Sequence, residues 1–323
     1  MSIVKIGILG SANIAQRSMA PAILRLSQRF KLVGIASREM SKAKIIAEKF
    51  KTTPYSSYES LIECGSCDAV YIPLPTLLNG AYTKLALQNN LNVLVEKTMA
   101  CDYTLVKEIH EIAREKSLAI IENFQFRFHN QMKDILRMIR SSYIGEIRCV
   151  NSSFGFPPFK DENNIRYSSQ LGGGALHDAG CYTIKISQII LGLEINVVAS
   201  TLYKRNKIDM WGGALIKSSD NRSFAQISFG FDNQYQCKLD IWGSEGRLVT
   251  DRIFTAPSDL KPQIIIQNAN KEKKIEAKSC DHFENILKHF YNSIYDKKIK
   301  EAEYIENINQ ARLINEIKKK ARQ

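Results

Sequence analysis

Asp178 and Tyr182 lie four residues apart, just behind three consecutive glycines, Gly172-Gly173-Gly174. On a helix beginning near Ala175, that spacing puts a carboxylate and a phenol on one face. A phenol one turn from a carboxylate can deliver a proton to a carbonyl oxygen, if something holds it near the reacting atom. The glycine run reads as a flexible, side-chain-free approach to that helix. An ordinary helix N-terminus would look similar, because an acid in the first turn complements the macrodipole. A second reactive residue, Lys97, follows Glu96 where a strand is expected to end. A lysine near a tyrosine stabilises the phenolate and eases proton exchange near neutral pH. On its own, Lys97 would be only a solvated strand-end residue.

These side chains need a scaffold, and the apolar pattern supplies one. Strands are expected at Val4–Leu9, Leu32–Ala36, Ala69–Leu74, Asn92–Val95 and Leu118–Ile121. Helical patterns fall between them, around Ile14–Leu26, Lys42–Phe50, Ala81–Asn89 and Tyr103–Lys116. Such alternation predicts a doubly wound parallel sheet in an α/β, Rossmann-type domain over residues 1–122. After Phe124 the rhythm changes. A helix near Asn130–Ile139 and the glycine-led helix precede strand-like runs at Val197–Tyr203, Gly213–Ile216, Phe224–Phe231 and Gln236–Ile241. Consecutive strands predict an α+β second domain, residues 123–323, with a mostly antiparallel open sheet. Helical patterns at Phe283–Ile294 and Ile305–Ala321 close the chain.

Gly10-Ser11-Ala12-Asn13-Ile14-Ala15 follows the first strand and opens the first helix. That is the place of a dinucleotide turn, where pyrophosphate approaches a helix N-terminus. Ala12 and Ala15 replace the second and third glycines of the usual pattern. Ser37 and Arg38 stand near the end of the second strand. An acid there would bind the ribose 2′-hydroxyl of NAD, whereas arginine accommodates a 2′-phosphate. Arg38 offers a charged fork and Ser37 a neutral donor, so NADP(H) is preferred over NAD(H). The alternative is that Arg38 is a surface residue before a helix starting near Ser41.

Composition narrows the class. The 323 residues are 44% hydrophobic and 24% charged, as in globular proteins. No run approaches the roughly 18 apolar residues of a membrane span, and the N-terminal residues read as a strand, so a cytoplasmic protein is expected. Seven cysteines are an odd, scattered set rather than a disulfide framework. Cys64-Gly65-Ser66-Cys67 lacks both the second pair that zinc wants and a thioredoxin-like context, and no metal site is expected. The net charge of +12 raises nucleic-acid binding. Much of the excess lies at Lys271–Lys274, Lys297–Lys300 and Lys318–Arg322, without the interleaved aromatics of a stacking platform. Solvated faces explain it, with some attraction for phosphate-bearing substrates.

Taken with these motifs, nearly the whole chain resembles the glucose–fructose oxidoreductase, inositol dehydrogenase and rhizopine-catabolism superfamily, Gfo/Idh/MocA. Gly10–Ala15 resembles its nucleotide turn, Tyr71-Ile72-Pro73-Leu74-Pro75 its strand before the nicotinamide, and Glu96-Lys97 its Glu-Lys-Pro motif. Arg127-Phe128-His129 and Ile144-Gly145-Glu146 are similar to its linker segments. Leu171–Tyr182 matches its glycine-led helix, and Trp242-Gly243-Ser244-Glu245-Gly246 its late strand and turn. The resemblance implies NAD(P)-dependent chemistry at a carbohydrate carbon, and an open second sheet that joins copies into a dimer or tetramer. It implies cofactor contacts from Gly10, Ala12, Asn13, Ile14, Pro73, Leu74, Glu96 and Lys97. It further implies Lys97 as the active-site lysine, Asp178 as the carboxylate that orients substrate, and Tyr182 as the proton donor. Tyrosine at 182 is nearer the glucose–fructose oxidoreductase, dihydrodiol dehydrogenase and sugar-nucleotide ketoreductase branches. A keto-sugar, in one version nucleotide-linked, is the expected substrate; free sugars, dihydrodiols and a sensing protein without turnover are the alternatives. Thr98 replaces the family's proline, Thr76 and Asn79 stand where Asn and His are frequent, and His177 occupies an often apolar position. His177 is expected to point away from the Asp178–Tyr182 face, and His129 to line the cleft or serve structure.

Overall fold

The computed structural model describes residues 2–269 and 271–322. Strands β1 (Val4–Leu9), β2 (Phe30–Ala36), β3 (Thr53–Tyr55), β4 (Ala69–Ile72), β5 (Asn92–Glu96) and β6 (Ile120–Asn123) form one parallel sheet, in the order β3-β2-β1-β4-β5-β6. Between them run α1 (Ala20–Arg25), α2 (Met40–Phe50), α3 (Tyr58–Ile62), α4 (Thr76–Gln88) and α5 (Tyr103–Glu115). Every residue of β4 and β6 is buried, as strands covered on both faces require. The strand order reverses between β1 and β4, and ligands of such sheets bind outside the carboxyl ends at that point. The expected helix over Ile14–Leu26 is interrupted: Ala15–Met19 is a π-helical turn. Pro21, in the first turn of α1, has no N–H to continue the ladder behind it. The elements β3 and α3 went unanticipated because three and five residues are too few to show a period.

Beyond α6 (Asn130–Arg140), the second sheet comprises β7 (Ile147–Gly155) and, after α7 (Cys181–Leu191), β8 (Ile195–Arg205), β9 (Ile208–Ser218), β10 (Phe224–Gly230), β11 (Gln236–Gly243), β12 (Arg247–Asp251), β13 (Gln263–Asn268) and β14 (Lys271–Glu276). Their order is β14-β13-β12-β11-β7-β10-β9-β8. All pairs are antiparallel except β7 with β10. Strand β9 runs well beyond the expected Gly213–Ile216, because its paired neighbours sustain it through Gly212 and Gly213, which weaken strand propensity. The edge strand β14 is charged and almost wholly exposed, which discourages edge-to-edge pairing and hides its strand character in sequence.

The chain ends in α8 (His282–Tyr295) and α9 (Lys297–Lys320). It packs as two compact units, Met1–Phe124 with Phe283–Ile308, and Gln125–His282 with Asn309–Gln323. A single division between residues 122 and 123 therefore differs from the observed packing, because α8 and the first half of α9 return to the parallel sheet's unit. Phe30 stacks on Phe290 and meets the edge of Tyr291. The Tyr304 hydroxyl donates to the Leu118 carbonyl just before β6. No helix among the described residues is long and apolar enough to cross a membrane.

Candidate active site

In the first unit, the expected cofactor residues gather at the carboxyl ends of β1, β2, β4 and β5. Gly10 leaves β1 with φ +121°, and a Cβ there would lie 3.0 Å from Leu74 Cδ2. That backbone favours glycine, so the turn retains the close approach a pyrophosphate needs. Ala15 is buried, so its methyl is accommodated in place of the last glycine. At the end of β2, Ser37 Oγ accepts the Glu39 N–H, and Glu39 pairs with Lys42 at 2.7 Å. The acid that follows Arg38 in the chain is thus already engaged. The Arg38 guanidinium lies close enough to the Tyr58 phenol to oppose the rise that burial causes in its pKa. Tyr58 meets the edge of Tyr82, and the Tyr82 hydroxyl, donating to Glu59 at 2.7 Å, is pushed up to about 12 by burial and by that carboxylate. These residues fit a phosphorylated dinucleotide.

At the end of β5, Glu96 is half-buried. The Tyr71 hydroxyl donates to Glu96 Oε1 at 2.6 Å, and the Asn123 amide donates to the same oxygen. Burial raises the Glu96 pKa, while Tyr71, Asn123 and Lys97 oppose the rise. The Lys97–Thr98 peptide bond is cis. Asn79 bonds the carbonyls of both Glu96 and Thr98 and the N–H of Leu74, so Pro73-Leu74 and Lys97 are drawn into one network.

In the second unit, Asp178 lies in a π-helical turn, Leu176–Gly180, that runs directly into α7 and Tyr182. The turn replaces the regular helix expected from Ala175. The glycine run before it is not a flexible approach. A Cβ on Gly173 would lie 2.4 Å from the Arg166 carbonyl oxygen, and one on Gly174 would lie 2.3 Å from Asp209 Oδ1. The glycines are there because other parts of the chain occupy that space. The Gly174 N–H donates to the Arg166 carbonyl at 3.0 Å, and Arg166 Nε returns to Asp178 Oδ2 at 2.5 Å. The guanidinium also lies over the Phe159 ring. Asp209, on β9, accepts the Leu176 N–H at 2.6 Å and so satisfies a donor at the start of the turn. Burial raises the Asp209 pKa against that hydrogen bond. Gln310 donates to the Cys181 carbonyl at 2.8 Å, pinning the start of α7. The Tyr182 ring is 6% exposed and packs among Phe126, Phe154 and Phe254.

Arg166, Asp209 and Gln310 escaped the sequence reading. Each lies far along the chain from its partner or in an irregular segment, where no period marks it. His129 is structural: its Nδ1 accepts the Gln131 N–H and caps α6, and burial lowers its pKa. His177, in the same π-helical turn as Asp178, is buried. Cys64 and Cys67 are free thiols; burial pushes Cys67 up to about 12. Burial also opposes thiolate formation at Cys64, but hydrogen bonds from Ser66, Tyr55 and Cys67 together outweigh it. No group of three or more metal-ligating side chains occurs among the described residues.

Residues 4–124 match the oxidoreductase family with an NAD-binding Rossmann fold, and residues 132–249 match the Gfo/Idh/MocA C-terminal domain. The chain is 31% identical over 320 residues to a dTDP-3,4-didehydro-2,6-dideoxy-alpha-D-glucose 3-reductase of Actinomadura kijaniata, covering 99% of this chain and 96% of that one. It is 29% identical over 250 residues to a D-xylose 1-dehydrogenase (NADP(+)) of Haloferax volcanii, covering 77% and 76%. Among solved structures, a 3-ketoreductase from Actinomadura kijaniata, in complex with NADP and TDP-benzene, superposes with a TM-score of 0.93 at 30% identity over 98% of each chain. With both of its domains matched and a full-length relative at this identity, the chain belongs to the Gfo/Idh/MocA oxidoreductase family.

Proposed function

We propose that this chain is an NADP(H)-dependent ketoreductase acting on a nucleotide-linked keto-sugar. The observation that carries the reading is its full-length likeness to a dTDP-keto-sugar 3-reductase. Arg38 beside Tyr58, with the adjacent Glu39 paired to Lys42, supports the 2′-phosphate cofactor. When bound, the reduced nicotinamide supplies a hydride to the carbonyl carbon. Tyr182 donates its phenolic proton to the carbonyl oxygen. Phe126, Phe154 and Phe254 hold the ring and keep water from it. Lys97 contributes positive charge that favours the phenolate left behind. Asp178, held through Arg166, accepts a hydrogen bond from a substrate hydroxyl and so sets its orientation. Gly10, Ala12, Asn13 and Ile14 would hold the pyrophosphate, and Pro73, Leu74, Glu96 and Lys97 would hold the nicotinamide.

Loss of NADPH absorbance separates the substrate classes. A dTDP-linked 3-keto-sugar should be reduced far faster than the free keto-sugar. Equal or faster turnover of a free sugar or a dihydrodiol would overturn the nucleotide-linked part and leave the oxidoreductase. The D-xylose dehydrogenase likeness favours the free-sugar alternative. Arg38→Ala should weaken NADPH binding about 10–100-fold and spare NADH; tighter binding of NADH to the unaltered protein would end the NADP assignment. Strand register also puts Tyr203, Trp211, Phe224 and Trp242 on one face of the second sheet, with Trp242 62% exposed. We assign this face to self-association, and light scattering should find a dimer or tetramer that Trp242→Glu weakens.

A further inference from the structure

Two departures from the family pattern meet at Lys97. Thr98 stands where a proline would stiffen the turn, and Asn79 stands where histidine is frequent. Asn79 is fully buried in the first turn of α4. Its amide nitrogen donates to the Glu96 carbonyl and to the Thr98 carbonyl, each at 3.2 Å. Its oxygen accepts the Leu74 N–H at 3.2 Å. The two carbonyls are those immediately before and after Lys97 in the chain. A single side chain therefore holds both flanks of Lys97 and ties them to the loop leaving β4.

The holder itself cannot drift. Its own N–H donates to the Pro75 carbonyl, and a Cβ on the next residue, Gly80, would lie 2.9 Å from the Ala100 Cβ. The α4 helix is thus pressed against the segment that follows Thr98. One residue beyond Thr98, the Met99 N–H donates to the buried Glu122 carboxylate at 2.8 Å. Lysine carries a point charge on a flexible four-carbon stem, so where its Cα is held sets the space that the ammonium can reach. We propose that Asn79 is the positioning residue for Lys97, supplying through hydrogen bonds the rigidity that a following proline would supply covalently. The proposal rests on Lys97 serving the reaction, which Lys97→Ala tests separately.

The experiment is a double-mutant cycle on kcat, with NADPH affinity measured in parallel by fluorescence titration. Wild type, Asn79→Asp, Asn79→Ala, Lys97→Ala and Lys97→Ala/Asn79→Asp are compared, each shown folded by a thermal melt. Asn79→Asp keeps the acceptor for Leu74 and loses both donors, so it isolates the contacts around Lys97. Both Asn79 variants should lose kcat about 10–100-fold, the scale of a misplaced reacting group. NADPH affinity should stay within about twofold, and the double variant should be no slower than Lys97→Ala alone. Unchanged kcat, an equal loss of NADPH affinity, or additive losses in the double variant would each overturn the proposal. So would full turnover by Lys97→Ala. If Asn79→Ala and Asn79→Asp do not fold, Asn79→His replaces them. Its ring N–H reaches one carbonyl, so a partial loss of kcat is expected and none would refute the idea. The cycle runs on whichever carbonyl substrate the wild type reduces, so it survives failure of the nucleotide-sugar assignment.

Discussion

The two units position reactive groups by opposite means. In the first, Gly10, Ser37, Arg38, Glu96 and Lys97 sit where parallel strands end or just beyond, and the sheet itself carries them to one edge. Side-chain ties from Asn79 then hold the segments on either side of Lys97 at that strand end. In the second, Asp178 and Tyr182 ride on a helical segment whose start is shaped by Arg166, Asp209 and Gln310. The antiparallel sheet offers no common strand end there. Sites of the first kind tolerate sequence drift in the turn, as Ala12 and Ala15 show; sites of the second depend on individual distant contacts.

The largest effect tests whether the second unit supplies chemistry or only shape. Tyr182→Phe should lower kcat by about 10²–10⁴-fold and leave NADPH affinity unchanged, as measured by stopped-flow absorbance and fluorescence titration. Wild-type turnover would remove Tyr182 from the mechanism. A smaller effect compares the two glycine sites. Gly173→Ala forces a methyl against a backbone carbonyl and should cost about 1–3 kcal/mol, read by denaturant titration. Gly10→Ala meets only the end of the Leu74 side chain, so it should cost less stability and more cofactor affinity, despite its strained φ. If Gly10→Ala proves the more destabilising, the contrast between backbone-built and contact-built sites is wrong.

The smallest effect is one the units share. Burial pushes His110 in the first unit and His282 in the second down to about 4. Both folded values lie below the unfolded value of roughly 6.5, so protons bind the unfolded chain more readily. The stability these rings contribute is fully present above about pH 6.5 and is lost as pH falls toward 4. Thermal melts across that window should show Tm falling, and His110→Gln should flatten the fall. A Tm that rises on acidification would contradict both burial assignments.

Much of the first unit was legible because its longer strands and helices carry their own period and their own stop, which β3 and α3 are too short to show. The strand Val4–Leu9 was read to the residue, and the glycine after it marked the turn. The start of α4 was missed by five residues because Pro75, not an apolar repeat, begins it. In the second unit, β7 and β12 to β14 left weak signals: their pairing partners, rather than a clean alternation, hold them as strands.

Residue type and local spacing alone determined that a dinucleotide turn follows β1, that Ser37-Arg38 stands in the place of the NAD acid, and that Asp178 and Tyr182 share a helical segment. Those are short-range facts, set by neighbours a few residues away. Only the tertiary structure decided that Gly173 and Gly174 are a tight seat for Arg166 and Asp209 rather than a flexible approach, that α8 returns to the parallel sheet, and that Asn79 meets the carbonyls of both residues flanking Lys97. Each depends on a contact between distant segments, and no local pattern encodes which buried polar group will meet which carbonyl.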